Sequence, residues 1–344
     1  MTQDGLFRDQ YGDVFHYKWK DKNHDKYETF RLEQVTYHPG ALKVPPIDVW
    51  PTYDELDRTF ILIAERGGGF KTFNQWIERQ DENKWQIFSL RDVQDDESKS
   101  IWKDLQKFKP GNYLLDRTYY GEGAELFPED TNSLAQIASI LEHKDWTKAK
   151  NRFICATYDT RNLSKDILFS ALLDKVHIYR LPQFSSKELV QWVEVLLEKH
   201  GSGAVESTQK LKLASLARDL VGGQPRLTHN LFNLTDQELR KDNKRLDSME
   251  NVFHNCGRTI RRNPPNVVNR WKKELKDLLI SSPSAKTLLE IYSQGNVKPE
   301  YRDYTPEDKE LYLTGWVAMN SKQQWGIRSD CHRDWAIQTL RGEL

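Results

Sequence analysis

The chain has 344 residues, of which 38% are apolar and 30% charged, with 51 basic and 51 acidic side chains. That length exceeds one small core and predicts two or three domains of ~100–200 residues each. A formal net charge of zero excludes a global basic field, so any nucleic-acid contact must come from a local patch.

The three cysteines, Cys155, Cys256 and Cys331, lie far apart and form no CxxC. That pattern argues against a zinc site or a disulfide framework and fits a reducing compartment. The first residues, MTQDGLFRDQYGD, carry no apolar signal core, and no run approaches the ~18 apolar residues of a membrane helix. The expectation is a cytoplasmic protein with no membrane contact.

Residues 1–55 are polar and aromatic, and their prolines favour extended or turn structure. They read as an N-terminal lead-in. From Arg58 the texture changes. Thr59-Phe-Ile-Leu-Ile-Ala64 is short, wholly apolar and β-prone, as a strand buried on both faces would be. Gly67, Gly68 and Gly69 break it, and 73–82 reads as helix. Further strands are expected at 85–90, 112–116, 152–157 and 176–181, with helices at 97–108 and 134–146. Strands alternating with helices predict an α/β domain over 56–182 with a parallel sheet.

After Pro182 the pattern is helical. Ser185 and Ser186 are good N-caps, with Glu188 at capping-box spacing from Ser185. Helices are expected through Leu197, over 211–220 up to Gly222-Gly223, and over 225–239. Residues 240–245 and 258–262 are basic and polar, and 270–292 reads as one helix. A β-hairpin around 311–328 and a last helix at 334–340 suggest a winged helix. The expected divisions are 183–245, a helical lid, and 246–344, a winged-helix-like unit.

The densest chemical signal is Ile61-Leu-Ile-Ala-Glu-Arg-Gly-Gly-Gly-Phe-Lys-Thr72. A phosphate loop needs a strand, a glycine-rich turn, then lysine and a hydroxyl at a helix start. Glycines let backbone N–H groups converge on phosphate oxygens, lysine reaches the β- and γ-phosphates, and the hydroxyl ligates magnesium. Lys71 and Thr72 stand where that pattern wants them. Glu65 and Phe70 occupy the positions of its first and last glycines. A plain strand-to-helix glycine turn is the alternative.

Later segments follow in the order of a P-loop NTPase, and the chain resembles AAA+ and STAND-type ATPases over roughly residues 50–340. The resemblance implies ATP and Mg2+ as cofactors. Tyr113-Leu-Leu-Asp116 looks like the Walker B strand, which would make Asp116 a catalytic and magnesium-holding residue. Asp92 is its rival if the strands are misassigned. Arg117 stands where these families carry the glutamate that polarises water, and a guanidinium does not act as a base. Phe153-Ile-Cys-Ala-Thr157 is similar to the sensor strand, with Arg161 as phosphate sensor. Gly222-Gly223-Gln224-Pro225-Arg226 resembles the lid motif that sets Pro225 near adenine and Arg226 near the γ-phosphate. A plain helix–turn–helix would use the same residues. Leu311–Val317 resembles a segment at the wing.

Three functions are open at this stage. One is an ATP-binding switch with weak or no hydrolysis, acting through self-association or a protein partner in defence or signalling. A second is a hydrolysis-dead scaffold, motivated by Phe70 and Arg117. The third is a DNA-associated ATPase, which the neutral charge disfavours.

Overall fold

The computed structural model describes residues 4–8, 14–18, 59–63, 67–70, 85–89, 111–117, 152–157, 177–180, 183–184, 186–200, 205–242, 249–297, 306–319 and 325–342. Strands β1 (Asp4–Arg8) and β2 (Val14–Lys18) form an antiparallel hairpin within the stretch read as a lead-in. Its alternation is short and polar, so sequence patterning gave no strand there.

A five-stranded sheet follows, built from β3 (Thr59–Ile63), β4 (Trp85–Ser89), β5 (Asn112–Arg117), β6 (Arg152–Thr157) and β7 (His177–Arg180). Every recorded pairing in it is parallel, and the order is β4-β5-β6-β3-β7. Leu62, Leu114, Leu115, Phe153, Ile154 and Ala156 are all buried. Near-continuous burial along a strand is what a sheet covered on both faces demands. The helices expected at 73–82, 97–108 and 134–146 lie outside the described residues.

Beyond the sheet the chain is helical. Helix α1 (Ser186–Lys199) buries Leu189, Trp192, Val193, Leu196 and Leu197 at three- and four-residue spacing. Helix α2 (Ser207–Val221) ends at Gly222, whose φ of 71° is left-handed and whose N–H reaches Arg218 O at 2.6 Å. That is the usual glycine stop. Helix α3 (Pro225–Asp242) begins on a proline, whose missing N–H costs nothing in the first turn. Asp236 on α3 is buried and takes Lys199 at 3.0 Å, His200 at 2.9 Å and Arg240 at 2.9 Å. Burial alone would raise its carboxyl, but the bonds from Lys199 and His200 and the nearby cations hold it below the usual range.

Helix α4 (Met249–Arg262) occupies the stretch expected to be merely basic and polar. Met249, Val252, Phe253, Cys256 and Ile260 recur at helical spacing and are buried, while the arginines face outward or sit at the last turn. The single helix expected over 270–292 is two. Helix α5 (Asn266–Ser281) stops at Ser282, and α6 (Pro283–Ser293) starts on Pro283, because a proline ring clashes with a helix running into it. Helix α7 (Pro306–Leu313) is tied to α6 by a buried hydrogen bond from Tyr292 to Asp308.

Strands β8 (Val317–Met319) and β9 (Trp325–Ile327) pair antiparallel, and α8 (Asp330–Leu340) closes the described chain. That helix starts four residues before the expected 334 because Ser329 caps it, accepting from the His332 N–H at 3.3 Å. The His332 ring stacks on Trp271 with centroids 6.0 Å apart and stands edge-on to Trp316 at 5.7 Å. One contiguous core runs from Tyr113 and Phe153 in the sheet, through α1–α5, to Trp335 in α8.

Candidate nucleotide site

The strand order carries the first spatial information. From β3 the chain leaves for the far edge at β4, returns through β5 and β6, and then passes over β3 to β7. The direction of winding therefore reverses beside β3. In open parallel sheets, ligands bind outside the carboxyl ends of the strands at such a reversal.

The register fixes which residues share that edge. Ser89, Asp116, Ala156, Leu62 and Tyr179 form one row across the sheet, and Arg117, Thr157, Ile63 and Arg180 the next. Asp116 and Thr157 thus reach the same end as the glycine turn that follows β3. One strand, β6, separates Asp116 from β3.

The turn itself bends twice through conformations reserved for glycine, with φ 77° at Gly67 and 104° at Gly69. Gly68 is buried. A Cβ added at Gly69 would meet no atom of the described residues within 4 Å. Phe70 opens helical backbone at the end of this turn and is 1% exposed, so its ring is enclosed in protein. Lys71, Thr72 and Arg161 lie outside the described residues.

The second glycine motif comes to meet the first. A Cβ on Gly67 would stand 2.9 Å from Arg226 Cβ and 3.2 Å from Gln224 Nε2. The turn from Gly222 to Arg226 therefore lies directly against the phosphate-loop candidate, 155 positions earlier in sequence (222 − 67). Gln224 is fully buried, and its Oε1 accepts from the Leu227 N–H at 2.7 Å. It caps α3 with its oxygen while its nitrogen faces Gly67. Pro225 is half-buried beside it, and Arg226 is exposed, with its Cβ and Cγ over Gly67.

Two further elements are pinned to the same turn. Phe184, ahead of α1, donates its N–H to Gly223 O at 2.9 Å. On the other side, a Cβ on Gly222 would strike Arg328 Cγ at 2.5 Å and approach Ser329 Cβ at 3.4 Å. Sheet edge, helices and C-terminal hairpin thus converge on five residues.

Sequence reasoning picked Gly67, Gly69, Pro225 and Arg226, and the fold gathers them. It missed Gln224, although a polar residue between Gly-Gly and Pro is the expected helix cap. It also missed Arg328 and Phe184, whose roles depend on contacts that no local pattern encodes. Tyr113 on β5 is buried, which pushes its phenol above the ordinary value. Among the described residues no three His, Cys, Asp or Glu stand close enough together to hold a metal ion. None of the described helices is long and apolar enough to cross a membrane.

No family model matches the chain, and no curated protein does. Among solved structures, it is similar to a point mutant of RuvB from Thermotoga maritima, at 15% identity over 78% of this chain and 85% of that one, with a TM-score of 0.37. Domain III of the Thermotoga maritima replication initiation protein DnaA aligns at 10% identity over 57% of this chain and 83% of that one, with a TM-score of 0.34. At such scores neither likeness bears on what this chain does.

Proposed function

We propose that the chain is a P-loop protein of AAA+/STAND-like type that binds ATP with Mg2+ at the carboxyl edge of its sheet and uses it as a switch. One observation carries this: the glycine turn after β3 lies under Gln224 and Arg226 of the second glycine motif. Two segments far apart in sequence, each suited to phosphate or nucleotide, share one location. The open space over Gly69 gives an anion somewhere to sit.

In this reading Lys71 supplies the ammonium for the β- and γ-phosphates. Thr72 and Asp116 hold magnesium, which neutralises phosphate charge. Pro225 lies by the adenine, and Arg226 and Arg161 face the γ-phosphate. Arg117 shares the edge row with Thr157. It offers no general base beside Asp116, so binding with weak or no hydrolysis follows.

Residues 56–182 then form the nucleotide-binding domain, 183–245 the lid, and 246–344 a winged-helix-like unit. The contact of Gly222 with Arg328 and Ser329 supports a switch, because a shift of the lid turn displaces the C-terminal unit. The exposed partner would be a second copy or another protein.

Calorimetry of the full chain with ATP and Mg2+ tests the proposal. Lys71→Ala is expected to abolish binding, and Arg226→Ala to weaken it. Unchanged affinity in Lys71→Ala, with the variant folded, would overturn it.

A further inference from the structure

The neutrality of the whole chain hides an uneven distribution. Between Asn251 and Lys276 seven cations stand against one carboxylate, Glu274. That window spans most of α4 and most of α5, so the charge is carried by two helices.

Helical spacing sorts the exposed side chains into stripes. On α4, Asn251, Asn255, Arg258 and Arg262 recur at intervals of four, three and four and are all exposed, away from the helix's buried apolar set. This stripe is about 16 Å long. On α5, Asn266, Asn269, Lys273 and Lys276 recur at three, four and three and are likewise exposed. Arg262 ends one stripe and Asn266, four positions on across Pro264 and Pro265, begins the other. Helix α8 holds both helices in place: Arg261 bonds Asp334 at 3.0 Å, and Lys272 donates to Gln338.

The neighbouring acids are already engaged. Glu250 at the start of α4 pairs with Lys212 at 2.8 Å, and Asp334 pairs with Arg261. Among the described residues no ion pair reaches Arg258, Arg262, Lys273 or Lys276. The exposed large apolar side chains, Leu211, Ile280, Ile291 and Val297, all fall outside 251–276. Protein interfaces are anchored by buried aromatic and apolar groups. A phosphate backbone needs only the guanidinium, ammonium and amide donors present here. No aromatic ring is exposed on the stripes to stack an unpaired base, which favours a duplex over a single strand.

We propose that the α4–α5 face binds the phosphate backbone of duplex nucleic acid without reading base sequence. The proposal stands independently of the nucleotide site. It also differs from one based on the hairpin: α7, which precedes β8, opens on Glu307 and Asp308 and offers phosphate no such surface.

Fluorescence anisotropy of the full chain with labelled duplexes of two unrelated sequences tests it. About four phosphate contacts predict that affinity falls roughly a hundredfold from about 50 to 200 mM salt. The double variant Arg258→Gln, Arg262→Gln is expected to weaken binding about tenfold or more, equally for both sequences, and to reduce the logarithmic salt slope by about 2. Its melting temperature and ATP affinity are expected to match wild type. If it melts lower, Lys273→Gln with Lys276→Gln on α5 is read in the same way.

No binding at about 50 mM salt, an affinity indifferent to salt, or variants that bind as wild type does would overturn the proposal. So would a clear preference for one sequence or for single strands. A polyglutamate of equal charge that competes as well as duplex would assign the face to an acidic protein and overturn it too.

Discussion

The chain bends through left-handed glycines at two places that meet in space, and the two differ in what surrounds them. At Gly222 and Gly223 the direction a side chain would take is filled: Arg328 and Ser329 crowd the first, and the Phe184 backbone the second. At Gly69 the backbone is just as left-handed, with φ 104°, but no atom of the described residues stands within 4 Å of where a Cβ would be. Both need glycine, for different reasons. The buried pair is required by packing, so its loss is a loss of fold. Among the described residues the open one is required by backbone shape alone. Gly295 and Gly342 share that open, left-handed geometry, so what sets Gly69 apart is its place in the turn that Gln224 and Arg226 cover.

The most damaging test of the joint is Gly223→Ala. Its Cβ would enter the Phe184 carbonyl, a backbone group that cannot swing aside. We expect a loss above about 3 kcal/mol, or failure to fold, read from thermal or denaturant unfolding. A variant as stable as wild type would show that the joint is not packed as described. Gly222→Ala should cost less, about 2 kcal/mol, because the atoms it meets belong to the flexible Arg328 side chain. If packing on Arg328 is the cause, Arg328→Ala in the same chain restores part of that loss, and a double-mutant cycle measures the coupling.

These contrasts also show what could be read without coordinates. Strands such as Thr59–Ile63 are legible because four consecutive apolar, mostly β-prone residues follow Thr59, and Gly222 as a helix stop because glycine takes the left-handed cap most readily. Helix α4 was hidden by its arginines, although its apolar residues keep helical spacing. Charge at the surface says little about the face beneath. Of the candidate site, the sequence offers the glycines and Arg226 as separate motifs. It does not say that a Cβ on Gly67 would stand 2.9 Å from that of Arg226, nor that Arg328 closes the far side of the turn. Those are long-range contacts, set by how the sheet order brings distant segments together.

A position away from both turns calibrates the scale. Asp236 is buried among Lys199, His200 and Arg240, and the hydrogen bonds from Lys199 and His200, with the nearby cations, outweigh the burial that would raise its carboxyl. Its folded-state value is lowered, so its contribution is fully present above the ordinary carboxylate range near ~3.9 and is lost as pH falls through the lower folded value. Asp236→Asn should therefore cost about 1–2 kcal/mol at neutral pH, and the gap to wild type should close in acid. A gap that stays constant down to about pH 2 would mean that the charge contributes nothing there. Neither outcome should alter ATP affinity, since Asp236 lies on α3 more than two turns beyond the residues that cover the glycine loop.

Gly69→Ala should have the smallest effect on stability of the set and the most revealing effect on binding. No atom of the described residues obstructs the new methyl group, so the expected cost is the backbone preference alone, about 1 kcal/mol for an L-residue held in left-handed conformation. The methyl group would nevertheless occupy the open space over the turn, where the proposed phosphate sits. ATP affinity should then fall at least about tenfold while the melting temperature moves by only a few degrees. At Gly223 the order is reversed, with stability lost first and binding lost only because the fold is. If Gly69→Ala instead binds ATP as wild type does, the open space is incidental, and the difference between the two glycine turns is one of solvent exposure and not of function.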